Sequence, residues 1–143
     1  MELVPFHPSH LNSINPQRSQ VVDLLCSKEV ASGTPLNDMG LAITGIHDGE
    51  VIFCAGATKQ WEKRHIIWSL MSAKAGKHMF GIIKAIMRLE PMYAGAGRME
   101  IMVRADFPEG CRLVERFFKF KFHHYEEKFL PDGADALIYV RHM

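Results

Sequence analysis

Runs of apolar residues along the chain predict a protein built mainly of β-strands. Two of them, Met39–Ile46 and Val51–Ala57, flank a His-Asp-Gly-Glu turn, and Asp-Gly favours the positive φ angles of a tight hairpin. Both runs are nearly continuous in apolar or small residues, which is typical of strands covered on both faces. The same criteria predict further strands at Glu2–Phe6, Arg64–Met71, Met99–Arg104, Lys119–Phe129 and Ala136–Arg141.

Three other segments have the helical period. A first helix is predicted over Pro16–Val30, followed by a loop at Ala31–Asp38. A second helix is predicted over Ala73–Leu89, with Ser72 as its N-cap. A third follows Pro108 and covers Glu109–Phe118. The apolar stripe of the second helix has i, i+3, i+4 spacing and consists of Met79, Ile82, Ile83, Ile86 and Met87.

This order of elements predicts an α/β (α+β) fold, with a mixed, mostly antiparallel sheet of about seven strands and helices on both faces. The 143 residues are expected to form one domain, residues 1–143. The formal net charge of +1 gives no reason to expect nucleic acid or an anionic membrane as partner. No apolar run approaches the roughly 20 residues that cross a bilayer, so no membrane span is expected.

The cysteine and histidine residues give no expectation of a metal site. Cys26, Cys54 and Cys111 are an odd number without CxxC spacing, which favours free thiols over a zinc framework or paired disulfides. Cys54 lies in an apolar run and is predicted to be a small core residue. His123 and His124 are neighbours on a predicted strand, where successive side chains point to opposite faces, so they are not expected to share an ion.

The segment most informative about function is residues 65–85, whose sequence predicts a strand, a short turn and an amphipathic basic helix. A strand that runs directly into a helix N-terminus collects free backbone N–H groups at one point, where anions bind. The basic residues of this region either attract a phosphorylated ligand or an acidic protein, or form an ordinary solvated surface. They are Lys59, Lys63, Arg64, Lys74, Lys77, Lys84 and Arg88.

From Glu2 to Arg141, the hairpin followed by a strand, a turn and a helix resembles the GNAT acyltransferases. In that family the fourth strand and the helix after it hold the pantetheine and pyrophosphate of acetyl-CoA. The resemblance therefore implies acetyl-CoA as the cofactor. It also implies a cofactor site formed by Leu70, Ser72, Lys74, Ala75, Gly76, Lys77, His78 and Met79.

Three segments resemble a narrower group, the GNAT-like proteins of short-tailed bacteriophages, which includes internal virion protein A. They are Trp68–Met79, Val103–Asp106 and Pro131–Tyr139. This resemblance implies a phage origin, a place in the host cytoplasm or the virion, and a phage or host protein as partner. Pairing of two subunits through the last strand is a further option.

The chain departs from the acyltransferase pattern at two places. The family loop reads Arg/Gln-x-x-Gly-x-Gly/Ala, whereas here Ala75 is at the basic position and His78 and Phe80 are at the two small positions. Small residues let the backbone approach the phosphates. In the last helix, Phe117 replaces the tyrosine that protonates the leaving thiolate, and Lys121 replaces the following glycine. Phenylalanine has no proton to give.

Glu62 and His65 flank the start of the fourth strand and are the nearest candidates for a general base. The alternative is that they belong to a solvated loop edge. Two functions therefore remain open. The first is a phage protein with a degenerate acyl-CoA site that acts through binding, in virion assembly or genome ejection. The second is an acetyl-CoA-dependent N-acetyltransferase that acts on a protein or a small amine.

Overall fold

The computed structural model describes residues 1–17, Gln20 and residues 41–143. Within them, seven strands form one sheet in the order β1-β2-β3-β4-β5-β7-β6. Strands β4 and β5 are parallel and the other neighbours are antiparallel, which confirms the predicted mixed sheet. The strands are β1 (Glu2–Pro5), β2 (Ala42–His47), β3 (Glu50–Trp61), β4 (Arg64–Met71), β5 (Arg98–Arg104), β6 (Lys121–Glu126) and β7 (Ala136–His142).

Two α-helices accompany the sheet, α1 (Met79–Leu89) and α2 (Pro108–Arg116). Both pack on the same face, where Ile82 of α1 and Val114 of α2 are buried against strand residues. The opposite face is covered by the 3₁₀ turn Pro8–Asn12, whose Leu11 is buried. The predicted helix Pro16–Val30 and loop Ala31–Asp38 lie almost wholly outside the described residues.

The predicted hairpin between β2 and β3 is confirmed. Asp48 and Gly49 have φ angles of 50° and 76°, as a tight turn with two left-handed residues requires. β3 extends four residues beyond the predicted end at Ala57 and turns directly into β4.

β3 carries a bulge at Ile52. The β2 pairing passes from Val51 to Phe53, so that Ile52 is an extra residue on β3. Ile52 and Phe53 therefore both face α1, while Val51 and Cys54 both face the 3₁₀ turn. The continuous apolar run of this strand reflects the burial of both its faces, and Cys54 is a fully buried core residue, as predicted.

The predicted start of the second helix is wrong. Residues Ala75–His78 form a 3₁₀ turn and the α-helix begins at Met79. Ser72 does not cap α1, because the helix begins at Met79 with His78 at its N-cap position. The Ser72 hydroxyl instead accepts a hydrogen bond from the Lys74 amide at 3.0 Å, within the turn that precedes the helix. The amide of Ser72 still donates to the sheet, so the chain needs a tight turn before it can enter the helical layer.

β6 is shorter than the predicted strand Lys119–Phe129, because Lys119 adopts a left-handed conformation with φ of 60°. Phe118 and Phe120 precede the strand and pack against the core beside α2. Phe122 lies on the strand and is 55% exposed. Two of these three rings therefore pack on the core and the third does not.

Candidate functional site

β4 and β5 enclose a wedge-shaped cleft. They pair only over their first halves, and the last pair is Ile67 with Ile101. β4 then continues to Met71 and β5 to Arg104 without pairing to each other. We call this opening the β4–β5 cleft. Beyond these pairs, the facing edges of the two parallel strands are not bonded to each other.

The closed end of the cleft is fastened by a carboxylate between two guanidinium groups. Glu100 of β5 accepts hydrogen bonds from Arg64 of β4 at 2.8 and 2.9 Å and from Arg98 at 2.5 Å. These bonds, first of all those from Arg64, hold the pKa of Glu100 at about 2. The side chain of Glu100 is only 13% exposed, so this ion cluster ties the two strands together where they begin to separate.

On the open side of the cleft, an early segment of the chain pairs with β4. The Gln17 amide donates to the Met71 carbonyl at 2.9 Å, and the Ala73 amide donates to the Asn15 carbonyl at 2.9 Å. The residues between them, Pro16 and Ser72, form an antiparallel bridge. We call these residues and Gln20 the N-terminal arm: Asn15, Pro16, Gln17 and Gln20.

The side chain of Gln20 extends this pairing along β4. Its amide oxygen accepts a hydrogen bond from the Met71 amide at 2.7 Å, and its amide nitrogen donates to the Ser69 carbonyl at 2.9 Å. Sequence reasoning missed this arm, because the region was interpreted as the start of a helix.

Several of the predicted cofactor residues belong to the core. Leu70 and Ala75 are 2% and 3% exposed, and Met79 packs on the same apolar cluster as Ala75. Ser72 is also buried. His78 is half-buried with its ring 4.6 Å from that of His47.

The remaining predicted residues, Lys74, Gly76 and Lys77, are exposed at the turn. The Lys74 ammonium group is bound to the Glu50 carboxylate, with its nitrogen 2.7 and 2.8 Å from the two oxygens. The hydrogen bonds from Lys74 lower the pKa of the Glu50 carboxyl group. The turn therefore holds a negative charge beside its first lysine.

Four of the seven basic residues of this region have separate partners. Lys59 pairs with Glu62, Lys63 with the Gly95 carbonyl, Arg64 with Glu100 and Lys74 with Glu50.

At the start of α1, Phe80 occupies one of the positions that are small in the family loop. Its side chain is 83% exposed and points to solvent. The helix has no acidic residue in its first turn, and within the described part of the chain no side chain caps its N-terminus with a hydrogen bond. This end of α1 therefore remains favourable for an anion.

The two candidate bases lie away from the open half of the cleft. Glu62 is at the tip of the β3–β4 hairpin, where it pairs with Lys59 at 3.0 Å. His65 lies in the paired half of β4, opposite Met99, with its ring 6.2 Å from that of Tyr93. The His65 Nδ1 atom is buried and has no hydrogen-bond partner among the described residues. A catalytic role for either residue stays a prediction.

The position of the missing family tyrosine is not filled by another phenol. Phe117 follows the last residue of α2 and is 49% exposed. The nearby Tyr139 is buried, and its hydroxyl donates to Glu115 at 2.8 Å. Burial raises the pKa of Tyr139, so its proton is held firmly.

An apolar cavity of about 110 Å³ lies between the two α-helices and the sheet. Most of its walls are apolar side chains, among them Ala55, Ile67, Met71, Ile86 and Leu113. At one end Arg141 donates to Glu90, so these two charged groups satisfy each other. The cavity therefore offers few hydrogen-bond partners to a ligand that contains amides.

The histidines His123 and His124 contact each other, contrary to the expectation that they point apart. The β6–β7 register skips His123, and this bulge brings the two Nδ1 atoms to 2.6 Å. Among the described residues, no group of three or more His, Cys, Asp or Glu side chains is arranged as a metal site. Within the same part of the chain, no helix is long and apolar enough to cross a membrane.

As arranged here, these residues do not fit an acyl-CoA held between β4 and α1. The arm already uses the Ser69 carbonyl and the Met71 amide on the cleft side of β4. Lys74 is neutralised by Glu50 at the turn where a pyrophosphate would bind. A ligand held there would have to displace the arm and accept a carboxylate next to its phosphates.

Comparison with known proteins identifies the fold. No protein-family model matches this chain, and no curated protein is similar in sequence. Among solved structures, Ard1 from Thermoplasma volcanium superposes with a TM-score of 0.73 at 15% identity, over 99% of this chain and 97% of that one. The ribosomal-protein-S18-alanine N-acetyltransferase from Escherichia coli gives 0.65 at 13% identity, over 99% and 92%.

A GNAT family acetyltransferase from Elizabethkingia anophelis with acetyl-CoA bound gives a TM-score of 0.64 at 13% identity, over 99% of this chain and 97% of the other. Identities this low establish the fold alone. These solved structures superpose on nearly the whole chain, including its seven-stranded mixed sheet with two diverging parallel strands. The chain therefore has the fold of the GNAT acetyltransferases.

Proposed function

We propose that this chain is a bacteriophage protein that keeps the GNAT fold but acts by binding a phage or host protein, in virion assembly or genome ejection. The observation that carries the proposal is the ion pair between Lys74 and Glu50. It places a carboxylate in the turn on which the GNAT cofactor site depends.

The charge of this pair opposes binding of a pyrophosphate. An anion at the turn would gain the attraction of Lys74 and of the α1 N-terminus, but it would be repelled by the Glu50 carboxylate that is bound to Lys74. Capturing Lys74 for the anion would also leave the Glu50 carboxylate without its partner. Phe117, in place of the family tyrosine, supports a function without acetyl transfer, because it supplies no acid for the leaving thiolate.

The phage context and the protein partner are supported by two further features. The segments Trp68–Met79, Val103–Asp106 and Pro131–Tyr139 resemble GNAT-like proteins of short-tailed phages. Phe117 and Phe122 are each about half exposed, and exposed aromatic side chains of this size are typical of surfaces that contact other proteins.

Calorimetric titration of acetyl-CoA, with free CoA for comparison, tests the loss of the cofactor site. We expect no measurable heat with the natural chain. A dissociation constant in the micromolar range, about −8 kcal/mol, would contradict the proposal. Glu50→Gln should improve binding, whereas Glu62→Gln, which removes an exposed carboxylate far from the turn, should not.

An active N-acetyltransferase is the second candidate, and the specific observation in its favour is the cleft itself. β4 and β5 still diverge after Ile67 and Ile101, and the start of α1 remains suited to an anion. If the chain is an enzyme, His78→Glu should abolish acetyl transfer by placing a negative charge at the loop. Equal activity in this variant and the natural chain would refute the enzyme hypothesis.

A genetic test addresses the role in the phage. A phage that lacks the gene should assemble or eject its genome poorly, and both the natural protein and His78→Glu should restore it. Restoration by the natural protein alone would show that the loop is needed, which would contradict a function through binding elsewhere on the fold.

A further inference from the structure

We propose that the N-terminal arm is a built-in occupant of the β4–β5 cleft, and that it takes the hydrogen bonds on β4 that an extended ligand would otherwise use. This inference rests on the proposed function and names the residues that occupy the open half of the cleft. Gln20 is the principal residue, because its side chain reaches furthest along β4 into the cleft.

The main chain of the arm acts as a short added strand. β4 loses β5 as a neighbour after Ile67, and Asn15 and Gln17 take its place four residues later. Their bonds satisfy the Met71 carbonyl and the Ala73 amide, which a strand edge would otherwise leave exposed. Addition of an extended segment to a free edge is a common mode of peptide recognition, and here the segment comes from the same chain.

The side chain of Gln20 continues the ladder where the main chain of the arm ends. A primary amide has one acceptor and two donors, so it can bond a strand edge as a peptide group does. Gln20 accepts from the Met71 amide and donates to the Ser69 carbonyl. Gln17 donates its own side-chain amide to the Gln20 oxygen at 3.1 Å and helps to hold it in this orientation.

Occupation of the edge by the arm excludes a second occupant. The Met71 amide has a single hydrogen and can serve only one acceptor well. Any ligand with amide groups in an extended chain, such as the pantetheine arm of an acyl-CoA, would compete with Gln20 for the same two atoms of β4. Removing the Gln20 amide should therefore open the cleft without changing the strands that form it.

Amide hydrogen exchange measured by NMR tests the occupancy directly. In Gln20→Ala we expect the Met71 amide to exchange at least tenfold faster than in the natural chain. The Ala73 amide should remain protected, because its acceptor is the Asn15 carbonyl. Gln60→Ala is the matched control, since Gln60 is an exposed glutamine on β3. Equal exchange of the Met71 amide in all three proteins would overturn the proposal.

Calorimetry with acetyl-CoA tests the competition, and Glu50→Gln provides a background in which Lys74 is released from its partner. We expect the double variant Glu50→Gln/Gln20→Ala to bind at least about tenfold more tightly than Glu50→Gln alone. Equal affinity would overturn the role of the arm while leaving the proposed function intact. Absence of binding in both would overturn the role of the arm and also the role that the proposed function gives to the Lys74–Glu50 pair. Micromolar binding by the natural chain would instead contradict both.

Discussion

Replacing Glu100 with glutamine should weaken the closed end of the cleft in a way that depends on pH. The Glu100 carboxylate bonds Arg64 across the junction of β4 and β5, and Arg98 on its own strand. Glutamine keeps the shape of the side chain but cannot carry the charge. The variant therefore isolates the contribution of the ionised group from that of packing.

The size of the effect follows from the pKa of Glu100. Its folded value of about 2 lies below the ordinary 4.5, so folding favours the charged form. At 1.36 kcal/mol for each pH unit, this difference corresponds to about 3 kcal/mol of stability as an upper bound. Because the folded pKa is the lower one, this contribution is fully present above about pH 4.5 and is lost as the pH falls towards 2.

Urea unfolding at pH 7, 4 and 2.5 provides the assay. We expect the natural chain to be more stable than Glu100→Gln by up to about 3 kcal/mol at pH 7, and the two proteins to converge as the pH falls. Glu62→Gln is the control, because its exposed pair with Lys59 should add no measurable stability. A difference that is the same at pH 7 and pH 2.5 would refute the assignment to charge.

Three further predictions concern the fold. Ile82→Ala should lower the free energy of unfolding in urea by about 2–5 kcal/mol, because Ile82 is fully buried. Met87→Ala should lower it much less, because that side chain is 46% exposed. Equal losses would contradict this packing. Gly49→Ala should destabilise the hairpin by about 1–2 kcal/mol, because Gly49 has a φ angle of 76°. Gly76→Ala is the control: its added Cβ would contact no atom of the described residues, so the change should be neutral or slightly stabilising. Burial raises the pKa of the Cys54 thiol to about 11, so iodoacetamide at pH 8 should modify this thiol only after unfolding. Peptide mass spectrometry can measure the modification. Rapid modification of Cys54 in the native state would contradict its burial.

Elements with strong local signals were predictable from the sequence. Asp48-Gly49 identified the hairpin, because a two-residue turn with positive φ needs such residues. The start of α1 was placed six residues too early, at Ala73, because periodicity does not distinguish a helix from a tight turn whose residues also pack inwards. Ala75 satisfies the helical pattern and is buried, yet it lies in a 3₁₀ turn.

The candidate site was less predictable because its decisive contacts join residues far apart in sequence. Gln20 accepts a hydrogen bond from the amide of Met71, which lies 51 positions further along the chain. Nothing in the sequence near either residue indicates this contact. Glu50 and Lys74 are 24 positions apart. A motif search detects the turn between β4 and α1, but the residues that close the cleft and neutralise the turn come from elsewhere in the chain.

The bulge at Ile52 creates a position where the length of a strand can change without exchanging its two faces. Loss of a residue from a regular strand moves every side chain on one side of the deletion to the opposite face. Neighbouring residues of β2, Ile46 and Gly45, pair with Val51 and Phe53, so Ile52 has no partner on β2. A chain without Ile52 would therefore keep Val51 and Cys54 on their present face. Deletion of Ile52 would thus remove one core side chain and the carbonyl that accepts the Ser72 amide, but it would not exchange the two faces of β3. Homologues that are shorter by one residue in β3 should lack the residue at this position.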